Sequence, residues 1–203
     1  MHLRIRWQES HRSHRRRILA QAASTILFLL GILALGFCAF VFLEAKYYQA
    51  TELRDFERSL AVWAPPGAVP EAAAPSRLEI PSVGISVMVH EGVGSRNLRL
   101  GAGHIPGTAL PGEAGNIGIA AHRDSYFRGL RNIRLNDTIL LTTLAGTYQY
   151  SVEWTRVVPA DEKNLLASSG ESSLTLVTCY PFYYVGSAPD RFIVRARRVG
   201  STH

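Results

Sequence analysis

The chain has two cysteines, and only Cys179 lies outside a long apolar segment near the N-terminus. Cys179 ends the run 175–179, in which period-two alternation places Leu176 and Thr178 on one face of a strand and Cys179 on the other. The end of a strand holds a nucleophile rigidly, and the loop that follows leaves it reachable. Taken alone, however, a cysteine in an apolar strand is more often a small buried hydrophobic residue.

Two further residues have the chemistry that a nucleophilic cysteine needs. A thiol is mostly protonated at neutral pH, so catalysis by Cys179 would require a neighbour that moves a proton. His122 ends the predicted strand 116–122 and is followed by a polar loop, and Arg191 begins the last predicted strand. The guanidinium of Arg191 keeps its charge, so its role would be to hold a substrate carbonyl or a developing oxyanion. Each residue by itself is typical of a surface position.

Four short motifs surround these residues. They are Thr-Leu-Val-Thr-Cys ending at Cys179, Asn-x-x-Ile-Ala-x-His ending at His122, Asp-Arg-Phe-Ile-Val beginning at Asp190, and Gly-His-Ile-Pro-Gly-Thr beginning at Gly103. In these motifs the chain resembles the sortases, the membrane-anchored cysteine transpeptidases of bacterial surfaces, and most of all their class D group. The resemblance covers about residues 76–199. It departs from the family pattern at Ala121, where a glycine commonly precedes the histidine.

The resemblance implies a closed eight-stranded sortase-type β-barrel and a role for each candidate catalytic residue. Cys179 would attack the carbonyl of a Leu-Pro-x-Thr-type sorting signal and form a thioacyl-enzyme. His122 would act first as general acid and then as general base, and Arg191 would position the peptide and stabilise the oxyanion. Asp124 is the only nearby carboxylate that could orient His122, and it is equally typical of a solvated loop residue.

Five residues near these positions are expected to contact the substrate: Thr178, Ala121, His104, Tyr180 and Phe182. His104 lies in the glycine-rich stretch 101–107, which we interpret as a mobile, substrate-facing loop. Tyr180 and Phe182 belong to an aromatic loop after Cys179. These aromatic side chains would either wall a groove for an extended apolar peptide or cap the barrel.

We expect no cofactor and no metal. Acidic residues such as Glu113, Asp124 and Asp137 are scattered, and the chain has neither a glycine-rich phosphate loop nor a His/Cys metal-ligand spacing. The resemblance implies surface proteins with a C-terminal sorting signal as substrates, and a peptidoglycan stem peptide or a pilin lysine as amine acceptor. Two alternatives remain: a thiol peptidase that uses water, and a non-enzymatic anchored β-domain that binds surface peptides.

The net charge is concentrated at the N-terminus. A net charge of +6 and a pI near 9.7 would by themselves suggest a nucleic-acid binder. Residues 1–17, however, contain six arginines and one glutamate, net +5, whereas 13 basic and 11 acidic residues follow residue 60. Because the arginines directly adjoin an apolar segment, we expect membrane lipid as a partner and no nucleic acid.

That apolar segment, residues 18–43, has 26 residues without a charged side chain. As a helix of ~1.5 Å rise per residue it would be about 39 Å long, against a hydrocarbon core of ~30 Å. It is too long for a secretory signal and does not end in small residues, so we predict an uncleaved single-pass anchor. The positive-inside rule then predicts a cytoplasmic tail, 1–17, and an extracytoplasmic C-terminal region.

The rest of the chain is predicted to form a stalk, a linker and one domain. Residues 44–75 comprise a loosely helical stalk and a Pro/Ala-rich linker, and residues 76–203 form the catalytic domain. Within it, many short β-branched runs without βαβ alternation predict an all-β fold, an antiparallel sandwich or a barrel. Ser95–Leu100 and residues 161–168 are predicted to form short helices.

Overall fold

A computed structural model describes residues 3–61, 75–162, 164–167, 170–184 and 186–202. The chain consists of two compact units, Met1–Lys46 and Tyr47–His203. The described residues form helices α1 (Leu3–Ala61) and α2 (Ser95–Leu100), 3₁₀ helices at Pro81–Val83 and Arg128–Asn132, and strands β1 (Ser76–Ile80), β2 (Ile85–Glu91), β3 (Ala102–His104), β4 (Asn116–Ala120), β5 (Thr138–Thr143), β6 (Gly146–Pro159), β7 (Ser173–Tyr180) and β8 (Asp190–Thr202).

The eight strands found in the described residues form a closed barrel in the order β1-β2-β3-β4-β7-β8-β6-β5. Closure occurs where β1 pairs antiparallel with β5, for example Leu78 opposite Leu141. The β2–β3 and β4–β7 pairs are parallel, and the other pairs are antiparallel. The all-β, eight-stranded barrel is therefore confirmed, and the sandwich is not formed, since closure leaves the sheet without free edges.

The barrel interior is filled by the inward-facing half of each strand. Leu78, Leu141, Leu174 and Leu176 are fully buried there. Phe127, on the connection between β4 and β5, is also fully buried and belongs to the same cluster. Such a close-packed core holds the strand ends in fixed positions, and those ends carry the candidate site residues.

Helix α2 is confirmed, but the predicted helix 161–168 is wrong. Its described residues form isolated turns, in which Glu162 N–H donates to the Pro159 carbonyl at 3.2 Å and Ala167 N–H to the Asn164 carbonyl at 3.3 Å. A short helix is marginal by itself, so tertiary packing decides the conformation of such a segment. Instead, Leu166 packs against β4, where a Cβ on Gly118 would lie 3.1 Å from the Leu166 side chain.

The predicted anchor and stalk, residues 18–43 and 44–60, lie within helix α1. In the described residues one helical segment, Arg16–Leu60, is long and apolar enough to cross a membrane, as the sequence predicts. Leu33 and Leu35 within it are 70% and 72% exposed. Nearly all of the Pro/Ala-rich linker, residues 62–74, lies outside the described residues.

In the C-terminal unit, the last turns of α1 pack against the barrel. Phe56 is buried, and the Gln49 carboxamide accepts a hydrogen bond from Met88 N–H at 3.1 Å and donates one to the Leu100 carbonyl. The Tyr48 ring lies 5.7 Å from the His90 ring. The predicted stalk region is thus partly a structural element of this unit.

Candidate functional site

The β7–β8 ladder brings Cys179 and Arg191 together. Their Cα atoms are partners in the antiparallel register, with Tyr180 opposite Asp190 as the next pair. Residues opposite each other in such a ladder project from the same face of the sheet, with Cβ atoms about 4.5–5.5 Å apart. Both side chains are half-buried, and the Cys179 thiol is free of any disulfide. The candidate nucleophile and the cation are therefore neighbours on one surface.

His122 reaches the same surface from β4. The parallel β4–β7 register places Ala120 beside Val177, so the chain two residues further along puts His122 next to Cys179. β4 ends at Ala120, which makes the strand two residues shorter than predicted. Two hydrogen bonds nevertheless continue the pairing: Ala121 N–H donates to the Val177 carbonyl at 3.3 Å, and the Thr178 hydroxyl donates to the Ala121 carbonyl at 2.8 Å.

One open pocket of about 260 Å³ contains all three candidate catalytic residues. Its lining residues are His122, Arg123, Asp124, Cys179, Gly186, Ser187, Ala188 and Arg191. The imidazole is exposed, and its side chain has no hydrogen-bond partner among the residues the structure describes. Asp124 lines the pocket without bonding to His122. A substrate carbonyl in this pocket would meet a thiol, an imidazole and a guanidinium.

The Arg191 guanidinium is held by backbone carbonyls. Its Nη1 donates to the Ala188 carbonyl at 3.2 Å and to the Asp190 carbonyl at 2.9 Å. Within the described ranges its other N–H groups have no partner, so they are available to a substrate oxygen. Charge-assisted hydrogen bonds from such a preorganised group stabilise a developing oxyanion without reorganisation during the reaction.

The predicted substrate-binding residues lie in three places: beneath the pocket, in an aromatic cluster, and in strand β3. Thr178 and Ala121 are 2% and 5% exposed and do not line the pocket; they join the ends of β7 and β4 beneath it. Tyr180 and Phe182 form an aromatic cluster with Phe192, with ring centroids 5.3 to 6.4 Å apart, and neither lines the pocket of Cys179. Both are half-buried, and Phe182 packs against the barrel core.

His104 is not in a mobile loop. It belongs to β3 and is 7% exposed, because the stretch pairs with β2 on one side and β4 on the other. Its Nδ1 lies 2.6 Å from the Glu91 carboxylate, and its Nε2 lies 2.9 Å from the Thr108 hydroxyl. His104 lines a separate small cavity of about 20 Å³ that contains none of Cys179, His122 and Arg191.

A residue that the sequence reasoning missed is Arg123, which follows His122 directly. Its Nη2 donates to the Tyr184 carbonyl at 2.7 Å and to the Gly186 carbonyl at 3.1 Å, both in the loop between β7 and β8. Two features of the sequence could have indicated this role: an arginine directly after the candidate histidine, and an aromatic loop between β7 and β8 with few polar side chains of its own. Among the described residues no group of three or more His, Cys, Asp and Glu could hold a metal ion.

Comparisons with known proteins identify the family of the chain. A family model described as "Sortase domain" matches residues 78–199. Sortase D of Bacillus subtilis (strain 168) is 35% identical over 123 residues, which are 60% of this chain and 62% of that protein. This chain therefore spans less than two thirds of that relative's length.

Two solved structures are similar in fold. A Clostridium perfringens Sortase D5 transpeptidase has 25% sequence identity and a TM-score of 0.63, and the match covers 76% of this chain and 99% of that chain. Sortase A from Corynebacterium diphtheriae has 30% identity and a TM-score of 0.59, with 63% and 61% covered. The similarity to a Sortase D and to a Sortase D5 confirms the resemblance to class D stated from the motifs.

Proposed function

The chain belongs to the sortase family, and from this premise we propose that it is a membrane-anchored cysteine transpeptidase acting on sorting signals of the Leu-Pro-x-Thr type. The observation that carries the proposal is the shared pocket of Cys179, His122 and Arg191. Three residues distant in sequence meet there with the nucleophile, proton carrier and cation that acyl transfer requires.

In the first half-reaction, the Cys179 thiolate attacks the carbonyl carbon of the scissile peptide bond. The carbonyl oxygen becomes an oxyanion, which the free N–H groups of Arg191 stabilise. As the C–N bond breaks, His122 donates a proton to the departing amine, and the carbonyl remains on sulfur as a thioester. Removing one oxyanion donor typically lowers kcat about 10²–10³-fold, which sets the scale for the contribution of Arg191.

In the second half-reaction, an amine attacks the thioester carbon. His122, now neutral, takes a proton from the incoming amine, and the C–S bond breaks to regenerate the thiolate. The product contains a new amide bond. Partial exposure of the Cys179 and His122 side chains supports this step, since the acceptor must reach the thioester from solvent.

The substrates in this proposal are surface proteins with a C-terminal sorting signal. The acceptor is an amine, either of a peptidoglycan stem peptide or of a pilin lysine. Tyr180 and Phe182, in the aromatic cluster with Phe192, supply an apolar surface for the signal peptide. Contact with this apolar surface removes the Leu and Pro side chains of the signal from water, which favours binding of the peptide.

We also propose the topology of the whole chain. Residues 1–17 are a cytoplasmic tail, residues 18–43 cross the membrane, residues 44–75 are stalk and linker, and residues 76–203 act outside the cytoplasm. The support is the six arginines on one side of the apolar segment and a nearly balanced charge on the other. Labelling of single engineered cysteines from either side of sealed vesicles tests the orientation.

The decisive experiment incubates the full-length protein in detergent with a quenched fluorescent Leu-Pro-Gln-Thr-Gly peptide and an excess of triglycine. We expect cleavage after Thr and a peptide–triglycine amide, both identified by mass spectrometry, and neither with Cys179→Ala. Cys179→Ala as active as the wild type would end the proposal. Cleavage without the amide adduct would indicate a peptidase that uses water.

The remaining alternative is an anchored β-domain that only binds surface peptides. In that case the thiol of Cys179 would be inert. The half-buried thiol in an open pocket favours the enzyme instead. A thiol-reactive probe that modifies the native protein at Cys179, with the same peptide protecting against modification, supports the enzyme, whereas modification only after denaturation supports the binding domain.

A further inference from the structure

The loop between β7 and β8, residues 181–189, connects the strand of the candidate nucleophile to the strand of the candidate oxyanion donor. Its described residues Tyr183, Tyr184, Gly186 and Ser187 are exposed. Phe182, near the start of the loop, packs against the barrel core, but these exposed residues have few buried apolar contacts. The position of this exposed part therefore depends on polar contacts with neighbouring parts of the barrel.

Two arginines on the connection between β4 and β5 make such contacts. Arg123 bridges the carbonyls of Tyr184 and Gly186, at 2.7 and 3.1 Å, and its guanidinium lies 5.8 Å from the centre of the Tyr184 ring. Arg131 donates a hydrogen bond to the Tyr183 hydroxyl and lies 5.5 Å from the centre of that ring. We name this pair of arginines the loop clamp.

The two contacts of Arg123 with the loop are charge-assisted hydrogen bonds to backbone carbonyls. One guanidinium nitrogen spans two carbonyls two residues apart, which fixes the local path of the chain as well as its distance. Arg123 is half-buried, and its Nη1 is buried without a partner, so the side chain is enclosed by the loop it holds. Hydrogen bonds from a charged donor are roughly twice as strong as neutral ones.

The clamped loop in turn holds Arg191. The carbonyl of Ala188, two residues after Gly186, accepts a hydrogen bond from Arg191 Nη1 at 3.2 Å, and Ala188 lines the pocket with Cys179. A chain of contacts thus runs from Arg123 through the Gly186–Ala188 backbone to the guanidinium of Arg191. Arg123 and Arg191 are each joined to the loop by a hydrogen bond, and two peptide units separate Gly186 from Ala188.

We propose that Arg123 is a positioning residue that, by clamping the β7–β8 loop, places the guanidinium of Arg191 against the reacting carbonyl. The inference rests on the proposed function. It gives the residue after His122 a role distinct from that of the histidine: His122 moves protons, and Arg123 orders the opposite wall of the pocket. Arg131 supports the same loop from its tyrosine side.

The kinetic test compares R123Q and R123K with the matched control R128Q in full-length protein, using the Leu-Pro-Gln-Thr-Gly peptide. Arg128 is an exposed arginine of the same connection without a side-chain partner among the described residues. Misplacement of a catalytic group by about 1 Å typically lowers the rate by up to 10²-fold, so we expect kcat of R123Q to fall about 10- to 100-fold. R123K, which keeps the charge but not the planar guanidinium, should be intermediate, and R128Q should match the wild type.

A double-mutant cycle separates positioning from a general structural effect. If Arg123 acts through Arg191, R123Q lowers kcat strongly in the wild-type background and by less than about twofold in the R191Q background. Equal effects of R123Q in both backgrounds would overturn the inference. So would an R123Q protein with wild-type kcat.

Hydrogen exchange measured by mass spectrometry tests, independently of activity, whether Arg123 holds the β7–β8 loop. We expect faster exchange of the amides of residues 182–190 in R123Q than in the wild type, and no change in R128Q. Exchange of that peptide at the wild-type rate in R123Q would overturn the inference. A wild-type protein that does not cleave the peptide would contradict the proposed function, and the exchange result would still decide whether Arg123 holds the loop.

Discussion

Cys179 and Arg191 are directly opposite each other in the antiparallel β7–β8 ladder. The register of the two strands thus sets the separation of the backbone positions that carry the candidate nucleophile and the guanidinium. Packed strands deform little, so this separation is reproducible from molecule to molecule. The guanidinium itself is oriented by the Ala188 and Asp190 carbonyls.

Replacement of Arg191 tests the electrostatic role. We expect R191A to lower kcat/KM about 10²–10³-fold, because the oxyanion loses its donor. R191K should recover only part of this loss, since an ammonium keeps the charge but not the planar fork. Steady-state cleavage of the Leu-Pro-Gln-Thr-Gly peptide measures both. Arg197, an exposed residue of the same strand paired with Glu153 at 3.6 Å, provides the control R197A. Equal activity of R191A and R197A would remove Arg191 from the site.

Replacement of His122 tests proton transfer. H122A should lower kcat about 10²–10⁴-fold, the usual contribution of a general acid–base residue. D124N should stay within about twofold of the wild type, because the Asp124 carboxylate does not bond to the imidazole. A pH profile of kcat for the wild type, H122A and D124N provides the measurement. A loss in D124N as large as that in H122A would instead indicate a Cys-His-Asp arrangement.

Thr178→Val tests the connection beneath the site. The Thr178 hydroxyl donates to the Ala121 carbonyl at 2.8 Å in a fully buried setting. A buried carbonyl without its donor costs about 1–3 kcal/mol, so the free energy of unfolding should fall by about that amount. T178S keeps the hydroxyl and should lose less. Urea unfolding followed by circular dichroism compares the two. If Thr178 contacts substrate instead, T178V would raise KM and leave stability unchanged.

His104→Ala separates stability from substrate binding. The imidazole has partners on both nitrogens, Glu91 and Thr108, and it lies in a cavity separate from that of Cys179. We expect the free energy of unfolding to fall by about 1–3 kcal/mol, with KM for the peptide within about twofold of the wild type. Unfolding curves and steady-state kinetics on the same preparation measure the free energy of unfolding and KM. A large increase in KM at unchanged stability would restore the substrate-facing role.

The buried Tyr150 predicts alkaline destabilisation. Burial in the barrel raises the pKa of Tyr150 to about 12, partly opposed by Arg198. An unfolded tyrosine ionises near pH 10. The folded state therefore retains the phenol proton longer, so this contribution to stability is complete below pH 10 and is lost as the pH rises from 10 to about 12.

Comparison of the wild type with Y150F measures the contribution of the Tyr150 phenol to the free energy of unfolding. Two pKa units correspond to about 3 kcal/mol, so the difference in unfolding free energy between wild type and Y150F should change by up to this amount over that range. Burial also raises the pKa of Tyr126, but its contribution is present in both proteins and cancels. Parallel pH dependences of the two proteins would contradict the prediction.

Local features of the sequence were sufficient for most of the strands, though not for β3, and for the candidate membrane span and the candidate catalytic residues. Strand β7 follows from a period-two pattern, and the candidate membrane span follows from 26 residues without a charged side chain, because these signals depend only on neighbouring positions. The motifs around Cys179, His122 and Arg191 were sufficient to state the family. The predicted helix 161–168 failed because short segments take their conformation from what they pack against.

Long-range pairing was decided only by the tertiary structure. Closure of β1 on β5, the burial of His104 between β2 and β4, and the clamp of Arg123 on the β7–β8 loop join positions far apart in the chain. Such contacts depend on which strands become neighbours when the sheet closes, and no local periodicity encodes this. The sequence by itself determined the candidate catalytic residues; the barrel decided that His122, 57 positions before Cys179, lies in the same pocket.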